Sequence, residues 1–172
     1  MDRRQRGTIS TNLLRRAHMD PAQTRSQSDL EVVRQRRVTL QVATERLKHA
    51  LAAPNAALAG TPYGDISSAA RELQSCLRAH VEATEGPSGF HADMLAAAPR
   101  LAHDVEILVR EHAQLAALAT QIVSRCGQDC TGDDINAIRR TGTELVAAIS
   151  RHLQHGSDLI YEAFESELGG ET

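Results

Sequence analysis

The stretch ELQSCLRAHVEATEGP, Glu72 to Pro87, places a histidine in the apolar stripe of a helix and then ends in acids and a helix-breaking turn. His80 belongs to the series Ile66, Leu73, Leu77, His80, Thr84, whose spacings of three, four and seven define one helical face. Two later stretches repeat the pattern. His112 stands among Leu101, Val105, Leu108, Leu115, Ala119 and Ile122, and His152 among Ile138, Leu145, Ile149, Gly156, Leu159 and Ala163. The spacing predicts three helices, each turning one imidazole inward.

The rest of the chain is read outward from these stripes. Ser28-Asp29-Leu30-Glu31 has the form of a capping box and predicts a first helix over 28–53, stopped by Pro54. Its apolar positions Val33, Leu40 and Leu47, with Ala43 and Ala50, recur by sevens, as in a bundle seam. Asp65 is the expected cap of a second helix over 66–85, which the run Gly86-Pro87-Ser88-Gly89 ends. A short helix over 90–97 precedes Pro99, which suits the first turn of a third helix over 99–125. Gly127 ends that helix, and Thr131 or Asp133 caps a fourth over 133–168 that stops at Gly169-Gly170. The expected fold is therefore all-α: an antiparallel up-down-up-down four-helix bundle over 28–170, behind a flexible basic arm over 1–27.

Composition agrees with helices and excludes several classes of function. No Trp is present, the aromatics are Tyr63, Tyr161, Phe90 and Phe164, and 41% of the 172 residues are apolar. The first 27 residues carry six Arg against Asp2 and Asp20, while the whole chain has a formal charge of −3. Without interleaved aromatics the arm gives no specific nucleic-acid signal. No apolar run approaches the roughly 20 residues that span a bilayer, and no apolar signal core follows MDRRQRGTIS. A cytoplasmic address is the expectation, with an organellar transit segment as the other reading of an Arg-rich start. Cys76, Cys126 and Cys130 are too few for a disulfide scaffold, and Cys126 and Cys130 are read as reduced thiols or as a pair formed under oxidation.

At about 1.5 Å per residue, His80 lies about 21 Å, His112 about 20 Å and His152 about 28 Å from a shared end of such a bundle. These levels allow one site in its middle. Imidazole suits iron, zinc or copper, and acids beside imidazoles in a bundle core suit iron. Glu85 and, more loosely, Glu82 are candidate acids on the second helix, with Asp158 and Glu162 on the fourth. Cys76, one turn before His80, is a soft alternative donor that favours zinc. His155 and Tyr161 are further polar groups near the same face. Three hydrogen-bonded core histidines without a metal remain the plainer alternative.

The segments RAHVEATE around His80, REHAQLAAL around His112 and RHLQHGSDLIYEAFESELGG from Arg151 resemble the hemerythrin-like family, four-helix bundles with an HHE cation-binding domain. That resemblance implies a non-haem iron pair, bridged by carboxylates, that binds or senses oxygen or iron. His80 with Glu85, His112, and His152 with Asp158 would be its ligands. The pattern departs from the family in four places. His49 lies off the first-helix seam, Thr84 stands where an acid is expected after His80, and Leu108 or Ala116 stands where a second imidazole is expected. Ser157 takes the place of the last acid, so a π-bulge at Gly156-Ser157 is needed to bring Asp158 inward. One ion, or none, fits this ligand count better than two.

Two other readings stand beside this one. In the first, a metal-free interaction or regulatory module contacts partners through the basic arm or the acidic end Glu162, Glu165 and Glu167. The second is an enzyme in which His152, His155 and Asp158 do acid–base work. No Glu-x-x-His, His-Glu-x-x-His, phosphate-cradling glycine loop or nucleophile elbow supports catalysis. Oligomeric state has no sequence signal.

Overall fold

The computed structural model describes residues 21–53, 64–87, 89–126 and 132–164, with side chains from Gln27 onward and from Asp134 onward in the last segment. Apart from short connections at Ala53, Gly86, Pro87, Gly89 and Ala98, these described residues are helical, without strands. The elements are α1 (Pro21–Ala52), α2 (Gly64–Glu85), the short α3 (Phe90–Ala97), a 3-10 turn (Pro99–Leu101), α4 (Ala102–Cys126) and α5 (Gly132–Phe164). The first 20 residues of the expected arm, the loop 54–63, Cys130 and the acids Glu165 and Glu167 lie outside the described residues.

The first helix begins at Pro21, seven residues before the expected start at Ser28, so the stretch 21–27 is helix rather than arm. Proline is preorganised for a first turn, and the residues after it do not break a helix. The capping-box sequence Ser28–Glu31 therefore sits inside α1. Pro99 opens a 3-10 turn that leads into α4 instead of starting α4 itself.

α1 packs on α2 and α5, and α4 packs on α2 and α5, so each long helix has two long neighbours. Specific contacts fix these pairings. Arg46 pairs with Glu72 between α1 and α2, and Gln74 Nε2 donates to Thr120 Oγ1 at 3.0 Å between α2 and α4. Near the end of α1, Arg139 of α5 donates to the Ala53 carbonyl. At Gly142 a Cβ would stand 2.5 Å from Leu51 Cδ1, so this glycine lets α1 and α5 approach closely.

The core has two parts. Leu40, Leu47, Leu73, Leu77, Leu115 and Ile149 belong to the larger cluster, and Val33, Phe90, Met94, Leu101, Leu108 and Leu159 to the smaller. Along α2, α4 and α5 the three inward histidines fall at the boundary between them. α3 touches α1, α2 and α5, and with Phe90 and Met94 it covers the smaller cluster.

Candidate metal centre

His80, His112 and His152 converge at that boundary, with 2%, 3% and 3% of their surfaces exposed. Each occupies a stripe position that would otherwise hold an apolar side chain, so the packing of the helices delivers the rings to one place. The His112 and His152 ring centroids are 4.4 Å apart, and His80 lies 5.2 Å from the first and 5.5 Å from the second. One ring nitrogen from each lies within 4.8 Å of the other two. His80 Nε2 and His152 Nε2 stand 3.3 Å apart. Two imidazole nitrogens sharing a tetrahedral ion, each at about 2.0–2.1 Å from it, would be about 3.3 Å apart.

Carboxylates stand behind two of the rings. His112 Nδ1 bonds Glu85 Oε1, and His152 Nδ1 bonds Glu111 Oε2 at 2.8 Å. The same Glu111 reaches the part-exposed His155 through Oε1, 3.3 Å from His155 Nδ1. With Nδ1–H donating outward, each ring presents the Nε2 lone pair inward, the arrangement that orients imidazoles on metals. His112 Nε2 is buried without a hydrogen-bond partner, as is His80 Nδ1. The His80–His152 contact then requires His80 to donate through Nε2, and coordination by His80 would move that proton to Nδ1.

Burial, reinforced by the neighbouring imidazoles, lowers His80 and His112 to about 3. It also lowers His152, against the pull of Glu111. All three are neutral at pH 7, the protonation state that binds metal.

A cavity of about 20 Å³ opens onto the rings, enough for one small group. Thr84, Arg37 and His91 also line it. Arg37 crosses from α1, and its Nη2 donates to the Leu153 carbonyl and to Ser157 Oγ. Arg37 passes close to Gly156, where a Cβ would lie 2.9 Å from Nη1. His91, from α3, stacks on His112 with centroids 6.1 Å apart and planes 8° from parallel. Its Nδ1 is buried without a partner, and burial holds its pKa down at about 4.

The other expected site residues lie apart. Glu85 is in the centre but contacts Nδ1 of His112, which places it behind the ring instead of between two metals. Asp158 is exposed and accepts a bond from Gln154 at 2.8 Å. α5 runs as a regular helix through Gly156 and Ser157, so no π-bulge turns Asp158 inward. Cys76 packs against the larger cluster, where burial raises its pKa, and it does not join the histidines. Glu82 is exposed, Glu162 pairs with Arg100 at 3.6 Å, and Tyr161 is 61% exposed. His155 enters only through Glu111. Glu111, His91 and Arg37 belong to the centre without having been singled out in the sequence.

No protein-family model, curated protein or solved structure matches this chain. Its chemistry is therefore read from the site alone. Three neutral imidazoles whose donor atoms share one small volume can hold a metal ion. The orphaned His112 Nε2 fits that use, since coordination there would give it a partner, whereas His80 Nδ1 lacks a protein partner in either tautomer.

Proposed function

We propose that this chain is a metal-binding four-helix bundle of up-down-up-down topology that holds one divalent transition-metal ion on His80, His112 and His152. The observation that carries the reading is the meeting of three buried imidazoles whose donor nitrogens lie within 4.8 Å. Contacts whose residue numbers run in opposite senses along α1 and α5, and along α2 and α4, support the antiparallel pairings that this topology requires. Arg37 meets Leu153 and Leu51 meets Gly142, while Gln74 meets Thr120 and Glu85 meets His112.

Glu85 and Glu111, placed behind the rings, increase the donor strength of His112 and His152 and fix their orientation. One ion accords with this layout better than a bridged pair, because among the described residues the group of donor atoms consists of three imidazoles without a carboxylate. Iron follows from the hemerythrin-like resemblance, whereas an all-imidazole set of three with an open side equally suits zinc. The role supported by a buried site with one small cavity is reversible binding or sensing of the metal, or of a small molecule such as oxygen beside it.

Metal content and the visible spectrum of the purified protein, prepared with and without air, test this directly. About one iron or zinc per chain, lost when His112 is replaced by Leu, is the expected result. A preparation that takes up less than about a tenth of an ion per chain after incubation with either metal would leave the metal-free module, in which the three rings only hydrogen-bond across the core.

A further inference from the structure

We infer that His91, carried on α3, is a fourth ligand to the metal ion of His80, His112 and His152, so that the bound ion fastens this short helix to the long ones; the inference rests on the metal reading above. Three imidazoles leave one position of a tetrahedral ion unfilled. His91 lines the same cavity as the three rings, with 8% of its surface exposed, and its Nδ1 is buried without a hydrogen-bond partner. Two other polar side chains at the cavity are engaged elsewhere. Thr84 Oγ1 donates to the His80 carbonyl at 3.0 Å, and Arg37 donates to the Leu153 carbonyl and Ser157 Oγ. A buried ring nitrogen without a partner costs stability, and coordination supplies the partner. Burial keeps His91 neutral at pH 7, so the tautomer with Nε2–H presents a lone pair at Nδ1.

The chain around His91 places it for this use. Gly89 N donates to the Gly86 carbonyl at 2.7 Å, and a Cβ at Gly89 would lie 2.4 Å from the Thr84 carbonyl oxygen, so the turn out of α2 is tight. That turn returns the chain to the ring of His112, the histidine that Glu85 holds. Two imidazoles on one tetrahedral ion, each bound at about 2.0–2.1 Å, have ring centroids about 5 Å apart. The separations among His80, His112 and His152 are 4.4, 5.2 and 5.5 Å, and His91 stands 6.1 Å from His112. His91 is thus outside the group whose donor atoms lie within 4.8 Å, and an inward shift of α3 by about 1 Å removes the difference. A closed shell of four imidazoles favours a metal-sensing role, in which occupancy sets how firmly α3 is seated.

Proton–nitrogen correlation NMR of the histidine rings, recorded on the full chain while zinc is added, tests this. His91 Nδ1 should move from the unprotonated to the metal-bound range together with one nitrogen each of His80, His112 and His152. His91→Ala should bind zinc more weakly, by more than the roughly 10–100-fold that an outer partner of a ligand is worth. Its cobalt(II) form should lose the intense visible bands of a four-coordinate site and regain them when imidazole is added. Zinc should slow hydrogen exchange of the α3 amides in wild type and not in His91→Ala.

Zinc-loaded wild type in which nitrogens of His80, His112 and His152 shift while His91 Nδ1 does not would overturn the inference and leave the metal reading intact. His91→Ala binding zinc as tightly as wild type would overturn it as well. Should that variant fail to fold, the wild-type spectra decide by themselves. Wild type that takes up no zinc or cobalt would overturn the metal reading and the fourth ligand together.

Discussion

Glu111 and Asp158 separate what single positions reveal in the sequence from what they hide. Both are acids within six residues of an inward histidine, yet Glu111 holds His152 from a neighbouring helix while Asp158 faces solvent. An outer carboxylate sits on the flank of its own helix and finds its partner across an interface, so periodicity along one helix cannot reveal it. Replacing Glu111 with Ala should weaken metal binding by about 10–100-fold, measured by competition with a chelator, and Asp158→Ala should leave it unchanged. His112→Leu should separate the two functional readings in melting experiments. Without metal its Tm should equal or exceed wild type, since a buried polar group is removed, and with metal it should lose the stabilisation that wild type gains.

At the scale of the elements, the stripes of α2, α4 and α5 were legible because a helical face repeats over many turns and an imidazole within it has nowhere else to point. α3 spans only Phe90–Ala97, too short for periodicity to orient His91. Arg37 lies in the run Arg34-Gln35-Arg36-Arg37, which reads as a solvated face, and its partners Leu153 and Ser157 lie on another helix. The contact between α1 and α5 at Gly142 offers a separate test. Alanine should raise helix propensity by about 1 kcal/mol, but its Cβ would meet the Leu51 side chain at 2.5 Å. Gly142→Ala should therefore destabilise the protein by roughly 1–3 kcal/mol in urea unfolding. Made in a Leu51→Ala background, the same change should be neutral or stabilising, as coupling between touching residues requires.

For the molecule as a whole, the buried histidines tie stability to pH. His80 and His112 titrate at about 3 and His91 at about 4 in the folded chain, against about 6.5 when unfolded. Below pH 6.5 the unfolded state takes up protons that the folded state refuses. Stability of the metal-free protein should thus be fully present above about pH 6.5 and fall as pH drops toward 3–4, by about 1.4 kcal/mol per unit for each such histidine. Urea midpoints at pH 7.5 and 5.5 check this, and equal midpoints would contradict it. Metal at a hundredfold excess over its Kd should add about 2.7 kcal/mol and raise Tm by roughly 5–10 °C, an increase that chelation reverses. The all-helical class was legible from composition and stripe length alone, whereas the division of the core into two apolar clusters depends on which heights the helices share.

The position of α3 against three of the long helices also bears on how fast an ion exchanges. Phe90, His91 and Met94 line the cavity on the rings, and if an ion enters past them its loading would be limited by the parting of those side chains. Stopped-flow loading should accordingly be first order in protein, with a rate that levels off as metal concentration increases, and chelators should extract the ion at a rate independent of their own concentration. Residence time in this centre would then be governed by the opening of one eight-residue helix more than by the strength of three nitrogen bonds.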